Sequence, residues 1–253
     1  MNQKEILNCV TEIGYLMICY GSDVSRVERE VTDLCEAYEV QQVDVFAVPS
    51  SLVITISDGE DYVTKTRRIT SKGNDMHKVT KLVRLCQWMK LELPEEDAVF
   101  ERISKIKAME PYHPLLVWIA YVVASCTSAI FYGAQYKESI VAGLIGSVIF
   151  LVQRVIRRFE GRSVFFTNLL CSCAASSLIA VAMKHFLIIH ASAVMIGIII
   201  TMIPGIAMTN AMRNYINDDF IAGTIQILEA MAALLGIVGG IFLLIFLTDM
   251  PLI

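Results

Sequence analysis

The chain has 253 residues, 55% of them hydrophobic and 18% charged, with a formal net charge of −4 at pH 7 and a mean hydropathy of +0.59. Such a balance excludes a wholly soluble protein and gives no expectation of a nucleic-acid partner. Of 46 charged residues (21 basic and 25 acidic), only 12 lie between residues 114 and 248, so a charged first part is followed by an apolar second part.

Ile6, Leu7, Val10, Ile13 and Met17 recur at helical spacing, and Val24, Val27, Val31, Leu34 and Tyr38 repeat the pattern after Gly21 and the candidate N-cap Ser22. Residues 43–48 and 52–57, parted by Pro49-Ser50-Ser51, and residues 62–69, after Asp58-Gly59, predict three antiparallel strands. Asp75 predicts the cap of a helix with Met76, Val79, Val83, Cys86 and Met89 on one face. Pro94 with Glu95, Glu96 and Asp97 opens another helix, whose last turn carries Lys105 and Lys107. Residues 1–111 therefore read as a cytosolic α+β domain, and Pro111 and Pro114 mark a hinge into a membrane domain over 112–253.

A helix needs about 20 mostly apolar residues to cross the hydrocarbon core. Residues 113–133, 139–155, 164–183, 186–208 and 220–247 predict an all-α domain of five transmembrane helices, the second being short and running into Arg154. The fourth is interrupted by Pro204-Gly205. Proline removes one backbone donor and displaces the carbonyl of Ile200, so a helix here must kink and expose polar backbone. At membrane depth such backbone persists where protein or a water-filled cavity lines it, which is also where transporters hold ions and substrates.

The interruption leads to Thr209, Asn210 and Arg213, and the next apolar run carries Glu229. Arg213 is either a topology anchor or a fork for a carboxylate. Glu229 is either a hydrogen-bonding strut between spans or a titratable group facing protein or water. Asp218 and Asp219 read as caps of the fifth span. Ser139, Gly143, Ser147, Gly236 and Gly240 recur at helix-packing intervals.

Four arginines in 154–162, together with Arg102, Lys105, Lys107 and Arg213, belong on the cytoplasmic side. That places the amino terminus inside and, with five crossings, the carboxyl terminus outside the cytoplasmic membrane. No signal peptide is expected, since residues 1–5 lead into an amphipathic segment. The seven cysteines show no framework spacing and are expected to be reduced. His185 and His190 stand about 140° apart on a helix, and Cys171 and Cys173 also point apart, so no metal site is expected. The first hundred residues carry no nucleophile elbow, phosphate loop or zinc spacing.

Gly21-Ser22-Asp23-Val24-Ser25-Arg26-Val27-Glu28, Val43-Asp44-Val45-Phe46 with Ile54-Thr55-Ile56, Arg67-Arg68-Ile69 to His77-Lys78-Val79, and Pro204-Gly205-Ile206-Ala207-Met208-Thr209-Asn210-Ala211 together resemble the threonine/serine exporter (ThrE) family. The resemblance covers most of the chain and is nearest to the split, YjjP-type form, in which a soluble domain plus five spans works with a separate small five-span membrane protein. It implies export of threonine and serine, as in the fused form, or of succinate and related dicarboxylates, as in the split form. It implies a structural role for Arg26 and Glu28. The chain departs from the family pattern at Asn214, where aspartate is usual, at Asp218, where glycine is common, and at Gln226, where a basic residue is common.

The expectation is therefore an exporter subunit without a cofactor. Pro204, Gly205, Thr209, Asn210 and Arg213 would bind a small organic acid or amino acid, and Glu229 would carry the coupling proton. A membrane-tethered enzyme or a sensor acting through the soluble domain stands as the alternative.

Overall fold

The computed structural model describes residues 1–59, 61–70, 73–110, 112–159, 163–185 and 187–248, without the side chains of 157–159 and 247–248. The chain forms two compact units, Met1–Pro111 with Thr209–Gln226, and Tyr112–Met208 with Ile227–Ile253.

The first unit joins helices α1 (Gln3–Cys19), α2 (Val24–Ala37), α3 (Met76–Glu92) and α4 (Glu96–Ala108) to strands β1 (Gln42–Val48), β2 (Ser51–Ser57) and β3 (Tyr62–Arg68). The strands form an antiparallel meander in the order β1-β2-β3, as the alternation and turn residues predict. Leu52, Ile54 and Ile56 of the central strand are fully buried, because a period of two sends alternate side chains to one face. On the other face Thr55 and Thr64 share a hydrogen bond of 2.9 Å. Helix α1 lies close on that core because Gly14 has no Cβ; one would stand 2.9 Å from Leu52 Cδ2.

Local signals explain the helix boundaries. Asn2 and Glu5 close a reciprocal capping box on α1, and Asp75 Oδ1 accepts from the Lys78 amide at 3.0 Å, as expected of that residue. Helix α2 begins one residue later than predicted, with Asp23 in place of Ser22 at its N-cap position. Glu28 Oε1 accepts from the Ala47 amide at 2.9 Å and so ties α2 to β1, a structural role. Lys90 bridges Glu30 and Asp33 at 3.1 and 2.8 Å.

The second unit contains α5 (Pro114–Phe131), α6 (Tyr136–Phe159), α7 (Val164–Lys184) and α8 (Ala191–Ile199), with parts of α9 (Gly205–Ile216) and α10 (Phe220–Thr248). Among the described residues four helical stretches are long and apolar enough to cross a membrane: Pro114–Phe131, Tyr136–Ile156, Val164–Lys184 and Phe220–Phe246. The predicted fourth span is not one helix; its first residue, Phe186, lies outside the described residues, and the remainder is the nine-residue α8, a turn, and the start of α9. The predicted second span is longer than expected at both ends.

Small residues bring these helices together. A Cβ on Gly143 would stand 2.3 Å from Cys126 Sγ of α5, and Ser147 Oγ accepts from Trp118 Nε1 at 2.8 Å. A Cβ on Gly236 would meet the Phe165 carbonyl at 2.4 Å, and one on Gly240 would meet Ser172 Oγ at 2.1 Å. Asn168 of α7 donates to the Ala233 carbonyl at 3.1 Å, so polar groups fasten the close approach. Glu160 and Arg162 of the predicted arginine-rich connection, and the terminal Ile253, lie outside the described residues.

Candidate functional site

The break before α9 has a local cause. Pro204 supplies no amide, and upstream the chain has already left α-helical pairing: Met202 N–H donates to the Ile199 carbonyl at 2.7 Å, and Thr201 Oγ1 donates to the Ile198 carbonyl at the same distance. Helix α9 then starts afresh, with the Met208 amide donating to the Pro204 carbonyl at 3.1 Å. The expected interruption is a full stop and restart of the helix.

Thr209 and Arg213 stand four residues apart on α9, and Asn210 three residues before Arg213, so these three share one side of the helix. Pro204 and Asn210 are half-buried, while Gly205, Thr209 and Arg213 are exposed. The two compact units divide the set: Thr209, Asn210 and Arg213 belong to the first, Pro204, Gly205 and Glu229 to the second. Glu229 is exposed on α10, where Leu228, Met231 and Leu235 are exposed as well.

Within the first unit the end of α9 and the start of α10 meet the beginning of α2. Asn214 is fully buried; its Nδ2 donates to Gln226 Oε1 at 3.1 Å, and its Oδ1 accepts from Ser25 Oγ at 3.5 Å. Two of the three departures from the family pattern thus fall in one hydrogen bond. An amide pair fills a buried contact without the desolvation cost of an ion pair. The third departure, Asp218, has φ +61°, a left-handed conformation that explains glycine at this position and that aspartate tolerates better than most residues. Asp219 Oδ1 accepts from the Ala222 amide at 3.1 Å, the capping role expected of it.

Two buried carboxylates escaped the sequence reading as sites. Asp23, beside the Asn214 contact, is 4% exposed, and neither of its oxygens has a well-formed hydrogen bond among the described residues; the one donor acting on it is the amide of its neighbour Val24. Burial pushes its pKa up, while the charge of Arg213 pulls it back down. Glu138, in the first turn of α6, is 3% exposed and accepts from the amides of Gln135 (2.8 Å), Ile189 (2.6 Å) and His190 (2.8 Å), and pairs with His190 Nδ1 at 3.0 Å. A charged residue opening an apolar run was the available signal for Glu138; its partners 51 and 52 residues away gave none.

Among the described residues no group of three His, Cys, Asp or Glu side chains is placed to hold a metal ion. All seven cysteines are free thiols, and burial pushes Cys9, Cys35 and Cys86 up to about 12, leaving them protonated and unreactive at neutral pH.

Compared with known proteins, the chain matches the threonine/serine exporter (ThrE) family over residues 8–248. It is 20% identical over 248 residues to a "Probable threonine/serine exporter" of Mycobacterium tuberculosis, covering 96% of this chain and 46% of that protein. It is 26% identical over 125 residues to a "Probable succinate transporter subunit YjjP" of Klebsiella aerogenes, covering 49% of this chain and 48% of that protein. The chain thus spans about half the length of the curated relatives it matches. No solved structure matches.

Proposed function

Because the chain belongs to the threonine/serine exporter family, a family of membrane transporters, we propose that it is one subunit of a secondary exporter of small carboxylate-bearing metabolites, either threonine and serine or dicarboxylates such as succinate. The observation that carries this reading is the apolar segment that stops at Ile199, restarts at Gly205 and then presents Thr209, Asn210 and Arg213 on one side of α9. Arg213 forks onto a substrate carboxylate, Asn210 and Thr209 hydrogen-bond its remaining polar groups, and the start of α9 at Pro204-Gly205 adds backbone partners. Glu229, exposed on an apolar helix, carries the proton that couples efflux to proton entry.

In this reading residues 1–111 are a cytosolic domain, residues 112–253 a five-crossing domain of the cytoplasmic membrane, and a second small five-span protein of the same family completes the transporter. The broken fourth crossing and the apolar surface around Glu229 support the need for a partner. An enzyme acting through the first unit has less support, since the family to which the chain belongs is one of transporters.

Efflux of labelled threonine and labelled succinate from cells holding the chain, the small partner, both or neither tests the proposal. Export is expected with both together and not with the chain alone. Equal loss of label from all four strains would refute it.

A further inference from the structure

Asp23 sits where the start of α2 meets the end of α9, packed among groups that do not answer its charge. Val24 beside it and Ala222 of α10 are 1% and 0% exposed, and Asn214 and Gln226 are committed to each other. Ser22 Oγ, next to it in the chain, is also buried without a hydrogen-bond partner among the described residues. The charged groups acting on Asp23 are Arg29 from α2, Arg213 from α9 and Asp219 from the α9–α10 turn; Glu28 of α2 is near enough to be affected by it and is held by the Ala47 amide. Arg213 is the strongest of the favourable charges, yet no hydrogen bond or ion pair joins the two among the described residues, and its side chain is exposed.

A buried carboxylate with no donor beyond the amide of its own neighbour, Val24, cannot stay ionised cheaply. Two neutralisers are available: a proton, or the guanidinium of Arg213, whose charge already acts on this carboxyl. The second would take from Arg213 the group assigned to the substrate, so the two uses are mutually exclusive.

We propose that Asp23 is a proton-binding site that competes with the substrate carboxylate for Arg213. Protonated Asp23 remains buried and neutral, and Arg213 is free to fork onto substrate. When Asp23 releases its proton, the new carboxylate takes Arg213 and the substrate carboxylate leaves it. Each exchange moves one proton and one carboxylate, and the guanidinium keeps a single partner throughout. This deepens the proposed function, resting on Arg213 as the substrate ligand, and adds a titratable group outside the membrane spans that sets loading, separate from Glu229. Burial favours the neutral acid here, in the direction the switch requires.

The purified full chain in detergent allows two measurements across a pH series that starts at the ordinary carboxylate value of 3.8 and runs to neutral and above. In the first, Arg213→Gln is introduced into the wild type and into Asp23→Asn, and melting temperatures are compared. The substitution is expected to lower the wild-type melting temperature more at the top of the pH series than at its foot, where the carboxyl keeps its proton, and by equal small amounts at both pH values in the Asp23→Asn background. Equal effects at the two pH values in the wild type would overturn the switch, and this comparison needs no Asp23 variant to fold.

In the second, equilibrium binding of labelled succinate and, separately, labelled threonine is followed with pH. Apparent affinity is expected to weaken by up to about tenfold per pH unit in the wild type above the pKa of Asp23 and to stay flat and tight in Asp23→Asn. The same slope in both proteins would overturn the competition. Absence of binding at every pH would instead sink Arg213 as the substrate ligand, while a pH-dependent melting difference would still identify the proton-switched pair.

Discussion

Glu138 and Asp23 are almost equally buried and stand at the starts of helices in different units, yet one has four donors and the other no well-formed hydrogen bond, only the Val24 amide near it. The difference separates two uses of a buried charge. A carboxylate whose lone pairs are met by fixed backbone amides holds chain segments in place, and here it fastens the loop before α8 to the head of α6. A carboxylate left without well-formed hydrogen bonds fastens nothing, and in the proposed switch its state follows pH and the partner that Arg213 takes. Glu229 is a third case, exposed on a helix otherwise fit for lipid.

Glu138→Ala should do the most damage. It leaves the Gln135, Ile189 and His190 amides without their acceptor, and breaking such a buried charged set costs on the order of 3–5 kcal/mol. Thermal unfolding in detergent should show a large loss of stability, with Glu138→Gln intermediate because one amide oxygen still accepts. A loss below about 1 kcal/mol for the alanine variant would erase the contrast with Asp23.

Gly240→Val is expected to rank next. Its first added carbon would fall 2.1 Å from Ser172 Oγ and 2.2 Å from the Leu169 carbonyl, so α7 and α10 must separate, at about 1–3 kcal/mol. The same substitution at Gly205, where a Cβ meets nothing within 4 Å, should leave stability almost unchanged. Matching losses at the two glycines would contradict the packing described for the second unit.

The proposed roles on α9 and α10 give smaller, functional effects. Glu229→Gln keeps the shape and fixes neutrality, so proton-driven efflux should fall while exchange of labelled for unlabelled substrate survives. Arg213→Lys keeps the charge and loses the fork, and apparent affinity should weaken about tenfold, or 1.4 kcal/mol. Unchanged proton-driven efflux in the first variant would remove Glu229 from coupling.

The smallest effect is the stability of wild type against pH. Burial raises the pKa of Asp23 above its ordinary 3.8, so the folded chain keeps this proton after the unfolded chain has lost it. The stabilising contribution is complete below about pH 3.8 and is lost as pH rises through the folded value. Melting temperature should therefore decline less steeply with rising pH in Asp23→Asn than in wild type, and parallel declines would count against an unpartnered Asp23.

Much of this was legible in the chain itself. The strands and the caps at Asp75 and Asp219 follow from alternation and capping chemistry that act over a few residues, and the helix break follows from Pro204. Glycines at intervals of four announced a close helix contact along α10, while the choice of α7 as its partner was not legible. The state of Asp23 was not legible, because its burial depends on residues near 214 and 226 folding against the start of α2. Glu138 was hidden for the same reason, as its donors come from the loop before α8. The fourth apolar segment looked long enough for one helix because composition does not register the side-chain bond from Thr201 that ends helical pairing ahead of the proline.

The account rests most heavily on the broken segment, α8 through the start of α9, crossing the membrane, since only then does it carry a lined polar site. A single cysteine placed after Ile253, in a background without reactive native thiols, reports this with an impermeant thiol reagent. Five crossings from a cytoplasmic amino terminus predict labelling in intact cells. Labelling only after lysis would contradict either the five crossings, leaving the four long helices alone to cross, or the cytoplasmic amino terminus.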